Sequence, residues 1–303
     1  AFAPASIGNV AVGFDVLGHS FQAIGDRVRA RRTAARGVRI AAIEGGVADL
    51  PLEPQRNTAG MAVLSMVEQL GLEFGVELVI EKGIPLGSGL GGSAASAVAA
   101  VVATEALLDR RLTKLEMLKF AMRGEEVASG TVHVDNIAPS LYGGLVLTVG
   151  IDNPNVKQIP VPASVRCVLV HPHMTLSTRA AREILDRSID LSNVIWQSAN
   201  LAGFLTGCFT GDIALIRESL EDVIIEPQRQ ALIPGFKDVK AAALGNGALG
   251  CSISGAGPTL FAWCEEPDAE RIRDAMVAAF AAHGLASDAW ISSLDAVGAR
   301  LVS

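Results

Sequence analysis

Apolar and polar positions along the chain switch repeatedly between a period of two and a helical period. Val76–Glu81 (VELVIE) is a short apolar run of strand type, closed by Lys82-Gly83-Ile84-Pro85. Arg27-Val28-Arg29-Ala30-Arg31 alternates strictly, so the cluster Arg27, Arg29, Arg31, Arg32 and Arg36 reads as a solvated strand face. From Ser93 onward, SAASAVAAVVATEALLDRRL holds small residues and helix formers without a breaker, which predicts a helix beginning at the preceding glycines. Thr113–Gly124 predicts another helix, with Thr113 as N-cap and Glu116 completing a capping box.

Further on, Ser140–Val149 (SLYGGLVLTV) reads as a glycine turn followed by a strand. Asp152-Asn153-Pro154-Asn155, with Pro160 and Pro162 after it, is the best candidate for a domain junction. Beyond it a strand is expected at Arg166–Val170, with helices near Thr178–Asp186, Asn193–Phe209 and Asp212–Leu220. The last part is expected to run strand Ser252–Ser254, turn Gly255–Pro258, strand Thr259–Cys264, helix Asp268–His283 and a final strand near Gly298–Val302. That order suggests an antiparallel sheet with helices on one face, and the mixture as a whole is α/β or α+β.

Half of the 303 residues are apolar, enough to bury one large core or two of ordinary size. A formal net charge of −7 argues against a general nucleic-acid binder, which needs a basic face. The four cysteines, Cys167, Cys208, Cys251 and Cys264, form no C-x-x-C pair and sit among apolar neighbours, as reduced core cysteines do. No signal-peptide pattern opens the chain, and the most apolar helical stretch, Ala94–Leu108, is shorter than a bilayer span. A soluble cytoplasmic protein without nucleic-acid or membrane partners is expected. His171-Pro172-His173 has metal-like spacing but no third ligand nearby, so a strand-end pair is the better reading. His19 and His283 belong to no evident constellation.

The chemistry concentrates in residues 85–96, PLGSGLGGSAAS. Gly87, Gly89 and Gly92 satisfy G-x-G-x-x-G, but a dinucleotide fold needs an acidic residue on a second strand about twenty positions later. Here that region is still helix, with Glu105 and Asp109 in or at the end of it. A Walker A loop would end in G-K-S or G-K-T, and a protein-kinase loop would come with H-R-D and D-F-G; neither occurs. What remains is a helix amino terminus with unpaired N–H groups and a positive dipole end, made approachable by glycine. Ser88, Ser93 and Ser96 add hydroxyls, and the whole reads as a phosphate cradle.

With these residues in view, the chain resembles the GHMP kinase superfamily. Pro85–Ala94 meets the superfamily's second motif, P-x-G-x-G-L-G then S or G, S, and A or S. Ala1–Gly18 (AFAPASIGNVAVGFDVLG) corresponds to the first motif, and Ser252–Trp263 (SISGAGPTLFAW) to the third. Within it, His133–Gly144 (HVDNIAPSLYGG), Ser177–Leu185 (STRAAREIL) and Glu226–Phe236 (EPQRQALIPGF) are similar to the homoserine-phosphorylating family. The resemblance implies an α+β protein of two domains, residues 1–155 of ribosomal-protein-S5 type and 156–303 ferredoxin-like. ATP would lie along Pro85, Leu86, Gly87, Ser88, Gly89, Leu90, Gly91, Gly92, Ser93, Ala94 and Ala95. L-homoserine would lie in the cleft between domains.

The same resemblance assigns roles. Ser93 and Glu125 would hold Mg²⁺, a hard ion suited to a hydroxyl and a carboxylate. Arg182 and Arg229 would clamp the substrate carboxylate, as planar guanidinium forks do. Asp15 would meet the ammonium, with Asn9, His133, Thr178 and Gly255 lining the substrate. Asn136 would orient the hydroxyl in place of the aspartate base of some relatives, since an amide takes no proton at neutral pH. The neighbouring Asp135 differs from that base position by a single residue. Three alternatives stand beside this reading: another small-molecule kinase of the superfamily, acting on mevalonate or a sugar; a non-catalytic ATP-binding sensor; and a relative that phosphorylates and then decarboxylates, against which the homoserine-type segments speak. A homodimer is left open.

Overall fold

The computed structural model describes residues 1–45, 50–130, 132–150 and 153–302. Its strands are β1 (Phe2–Gly8), β2 (Leu17–Thr33), β3 (Val38–Glu44), β4 (Gly75–Glu81), β5 (Leu145–Val149), β6 (Asn155–Ile159), β7 (Val165–Pro172), β8 (Gly250–Ile253), β9 (Leu260–Glu265) and β10 (Ser287–Ser293). Its helices are α1 (Thr58–Gln69), α2 (Gly92–Glu105), α3 (Lys114–Ser129), α4 (Val134–Tyr142), α5 (Thr178–Glu183), α6 (Leu191–Thr210), α7 (Ile213–Ser219), α8 (Glu226–Arg229), α9 (Phe236–Gly245) and α10 (Ala269–Ala282).

Two sheets organise these elements. The first runs β3-β4-β2-β5-β6, with β1 also on β2; β3 and β4 are parallel and the other pairs antiparallel. The second runs β10-β7-β9-β8 and is antiparallel throughout. Strand, helices, two strands, helix, strand, with the fourth strand beside the first, is the ferredoxin-like arrangement, so the α+β expectation holds. Strand β2 carries the alternating arginines. Arg27 faces Glu81 and Arg31 faces Glu77 across the β2–β4 ladder, and all four side chains of Arg27, Arg29, Arg31 and Arg32 stay solvated. The Arg27–Glu81 pair, exposed on both sides, contributes little to stability, whereas Arg31 pairs with the buried Glu77.

One continuous core joins the sheets. Leu17 and Phe21 of β2 share a buried cluster with Phe204 of α6 and with Phe261 and Trp263 of β9, while α9 and α10 cover the second sheet's other face. His19, also on β2, is fully buried against Trp263, whose indole N–H donates to His19 Nε2 at 3.2 Å. His19 Nδ1 lies 3.1 Å from the Ser20 carbonyl, so the proton sits on Nδ1 and the two sheets are tied through one imidazole. Cys167, Cys208, Cys251 and Cys264 are buried and free, as expected. Among the described residues no helix is long and apolar enough to cross a membrane, and no three-ligand metal cluster exists, His171 and His173 included.

Several elements depart from the sequence reading. The final strand is Ser287–Ser293 rather than 298–302, because the segment after Gly284 takes the register beside β7. The tail instead crosses to the first sheet, bridging Val297 to Gly143 and Arg300 to Phe2, with Gly298 too close to the Leu141 carbonyl for any side chain. Ser140–Tyr142 finishes α4 before the double-glycine turn, so the expected turn begins at Gly143. Helix α2 stops at Glu105, whose buried carboxylate turns back to accept the Leu112 N–H at 3.3 Å and to pair with Arg111. The capping box at Thr113 and Glu116 forms as written. Of the expected junction, Asp152 lies outside the described residues; the first sheet continues through β6 and ends before Pro160-Val161-Pro162.

Candidate active site

A cleft of about 190 Å³ collects segments from the whole length of the chain. The glycine loop between β4 and α2 forms one wall. Gly87, Gly89 and Gly91 all adopt positive φ, which folds the loop back so that α2 starts at Gly92 with its amino end toward the cleft. The loop carbonyls are drawn outward: Gly87 O accepts from Leu176 N, Ser88 O from Thr259 N and Oγ1, and Leu90 O from Ser6 N. Ser254 Oγ donates to Gly89 O at 2.8 Å. Two of the glycines are required by close approach. A Cβ on Gly89 would lie 2.4 Å from Ser254 O, and one on Gly91 would lie 2.1 Å from Ser6 Oγ. The three motifs of the sequence therefore touch at this loop.

Behind the first turn of α2, Ser93 Oγ donates to Glu125 Oε1 of α3 at 2.9 Å. Glu125 is buried and also lies 3.5 Å from His133 Nδ1. Burial opposes charge on His133, but the Glu125 hydrogen bond and the carboxylates of Asp135 and Asp15 outweigh it, and its pKa rises. Asp135 stands next to it at the start of α4. Burial, with help from Asp15, pushes its carboxyl up to about 6, although the backbone N–H of Asn9 donates to it. Asn136 Oδ1 accepts from Ser6 Oγ at 3.0 Å. Gly8 makes room for this pair, since a Cβ there would lie 2.5 Å from Asp135 Oδ2 and 2.7 Å from Asn136 Nδ2.

The opposite wall is a charged clamp. Asn9, Val10, Ala11 and Asp15 all have positive φ, an uncommon conformation for residues with side chains. Asn9 stabilises that bend by donating to Gly255 O at 2.9 Å and accepting the Asp15 N–H at 3.0 Å. Asp15 meets Arg182 of α5 through both guanidinium nitrogens. Arg229 of α8 is buried, held by Ala181 O at 2.9 Å and Gly255 O at 3.0 Å. Burial first, and the nearby Arg182 second, lower its pKa. Phe14 lies within cation–π reach of both cations, its ring centroid 5.5 Å from the Arg182 guanidinium and 5.3 Å from that of Arg229.

Asn9, Asp15, Pro85 to Ser93, Glu125, His133, Asn136, Thr178, Arg182, Arg229 and Gly255 all line this cleft. Ala94 and Ala95 do not; both are fully buried on the core side of α2. Asp135, which the sequence set beside Asn136 as the neighbour of the base position, lines it as well, and so does Phe14, which the sequence did not single out. Phe14 sits beside Asp15 in the GFDVLG segment, but nothing in that string says that its ring meets two arginines 168 or more positions away.

Comparison with known proteins agrees with this architecture. The family model for the GHMP kinases N terminal domain matches residues 57–144, and that for GHMP kinases C terminal matches 204–282. The homoserine kinase of Xylella fastidiosa (strain 9a5c) is 50% identical over 303 residues, covering 100% of this chain and 93% of its own length. The chain belongs to the homoserine kinase family of GHMP kinases. The homoserine kinase of Chlorobium phaeobacteroides (strain BS1) is 44% identical over 314 residues, covering 99% of this chain and 98% of that protein. The crystal structure of homoserine kinase from Cytophaga hutchinsonii superposes with a TM-score of 0.95 at 45% identity, over 98% of this chain and 95% of that one. A homoserine kinase of this family is an ATP-using enzyme with a small-molecule substrate, and the glycine loop falls inside the N-terminal match.

Proposed function

We propose that this chain transfers the γ-phosphoryl group of ATP to the side-chain hydroxyl of L-homoserine, giving O-phospho-L-homoserine and ADP in threonine biosynthesis. The observation that carries the reading is the meeting, in one cleft, of a helix amino terminus behind a glycine loop with Asp15, Arg182 and Arg229. Homoserine is a zwitterion with a primary hydroxyl. Asp15 matches its ammonium, and the two guanidinium groups match its carboxylate. A sugar offers neither charge, and mevalonate offers only the carboxylate.

Phosphoryl transfer needs position and charge neutralisation more than covalent chemistry. The N–H groups of Gly87–Ser93 and the α2 dipole receive phosphate oxygens. A second hollow, lined by Gly45, Lys82–Leu86, His171 and His173–Thr175, opens beside the loop entry and supports placement of the nucleoside there. Ser93 and Glu125 fit Mg²⁺: their oxygens lie 2.9 Å apart in the cleft, and this ion commonly completes its octahedron with waters and phosphate oxygens. Bound there, it would supply positive charge against the phosphates. Asn136 orients the acceptor hydroxyl, with Ser6 fixing its amide, and the hydroxyl proton leaves to the phosphate or to water. His133, whose pKa is raised by Glu125 and the nearby Asp135 and Asp15 against its burial, lines the same wall. A homodimer also belongs to this proposal, supported by α6, which carries no charged residue and exposes Leu191, Ile195 and Phe209 on one face.

ADP release from Mg²⁺-ATP with L-homoserine, compared with mevalonate, galactose and shikimate and repeated in Arg229→Ala, tests the reading. Turnover with homoserine alone, with KM raised or activity abolished in the variant, is the expected result. Turnover with another acceptor would transfer the kinase to that substrate. ATP binding without turnover on any acceptor would favour a sensor.

A further inference from the structure

Beneath the glycine loop lies a buried, fully paired charge cluster whose ion pair has no part in the steps above, although Lys82 also borders the second hollow. Asp26 of β2 is completely buried, and Lys82, the first residue after β4, is 6% exposed. Lys82 Nζ pairs with Asp26 Oδ2 and also donates to Gly92 O and Ser96 Oγ, each at 2.8 Å. Ser96 Oγ donates to Asp26 Oδ2 at 2.6 Å. Asp26 Oδ1 accepts the backbone N–H groups of Gly83 at 3.0 Å and Ile84 at 3.2 Å. Gly83 and Ile84 lead into the loop, while Gly92 and Ser96 belong to the first turns of α2. The carboxylate thus grips the loop's entry and the ammonium grips its exit, with Pro85–Gly91 strung between them.

Desolvation offsets most of the Coulomb attraction of a buried pair, so stability alone is a weak reason to build one. Its directionality is the useful property: each partner here bonds the backbone at one end of the same loop. We infer that Asp26 and Lys82 are positioning residues for the phosphate-binding loop, fixing the separation and angle between its entry and the start of α2. Because Asp26 neutralises Lys82 below the loop, the pair acts through the backbone geometry rather than as a phosphate ligand. The inference rests on the reading of this loop as the ATP site.

The test is titration of the full chain with a fluorescent N-methylanthraniloyl ATP, which needs no acceptor substrate, alongside thermal unfolding and the KM for homoserine. The double variant Asp26→Asn/Lys82→Met removes both charges and keeps an acceptor for Gly83 and Ile84, but loses the ties to Gly92 and Ser96. Its nucleotide affinity is expected to fall about tenfold, the equivalent of about one hydrogen bond to a charged group, while the homoserine KM changes less than about twofold. A lowered unfolding temperature with wild-type nucleotide affinity would overturn the inference and leave the pair as a core brace. Should the double variant not fold, Ser96→Ala decides: it strands no charge, an affinity loss of about threefold is expected, and wild-type affinity overturns the role. Wild-type protein that binds no analogue would overturn the ATP reading of the loop and the inference with it, whereas binding that the variants leave unaltered sinks the positioning role alone.

Discussion

Asp135 and Asn136 are adjacent in the chain and both line the cleft, yet their surroundings divide the work between them. Asp135 braces the left-handed backbone at Asn9, while its Oδ1 is buried without a hydrogen-bond partner. The folded state raises its pKa to about 6 from an ordinary value near 4, so between those pH values the folded chain keeps a proton that the unfolded chain has released. Stability from this group therefore declines as pH rises through that window. Asp135→Asn keeps an acceptor for the Asn9 N–H and cannot ionise. Its unfolding free energy is expected to gain on the wild type from pH 4 to above 6, by about 2–3 kcal/mol, in paired urea titrations. Its kcat is expected to stay within about tenfold, while Asn136→Ala loses about a hundredfold by freeing the hydroxyl. A general base at Asp135 would instead cost about 10²–10⁴ in kcat, and that result would exchange the two roles.

The glycine loop and α2 form a unit whose sequence is explicit about where it begins and silent about what surrounds it. Small residues after Ser93 mark the helix, and the run of glycines marks the anion end, because both signals are local. Which glycine tolerates a side chain depends on neighbours from distant parts of the chain, such as Ser254, 165 positions after Gly89. Gly89→Ala is expected to cost more than about 2 kcal/mol in urea denaturation, since φ is +78° and the new Cβ meets the carbonyls of Ser254 and Gly257. Gly71 offers the control. It too has positive φ, +60°, but open space around the Cβ position, so Gly71→Ala should cost about 1 kcal/mol, the conformational part alone. Equal costs at the two sites would remove the steric argument for the loop's packing. The capping box of α3 was equally legible, whereas the end of α2 was not, because Glu105 ends it by turning back to a residue seven positions later.

Across the whole molecule the two sheets share one core, and His19 makes a polar contact inside it. Burial lowers its pKa to about 4 from an ordinary 6.5. Between those values the unfolded chain binds a proton that folded His19 refuses, so stability from this group is present at neutral pH and lost as pH falls. The loss approaches about 3 kcal/mol by pH 4, opposite in sign to the Asp135 contribution over a similar range. His19→Gln offers Trp263 an acceptor that does not titrate. The wild type's advantage over this variant is expected to shrink between pH 7 and 4.5 in calorimetric or denaturant unfolding; a constant difference would show that His19 stays neutral by other means. From the sequence His19 belonged to no constellation, because its partner lies 244 residues away on another sheet.

The sequence by itself determined the elements whose causes lie within a few residues of them: the alternating arginines of β2, the small-residue helix behind the glycine loop, the Thr113 cap, and the βαββαβ order of the last half. Its three motifs also named the family, since residues that must approach phosphate or a zwitterion leave few substitutes. Tertiary structure decided what depends on partners distant in the chain. It placed the last strand at Ser287–Ser293, turned Ala94 and Ala95 into the core, brought Phe14 against two arginines, and buried Lys82 and Asp26 beneath the loop. Local pattern encodes periodicity and caps, but strand register, side-chain burial and charge pairing arise only when the chain closes on itself.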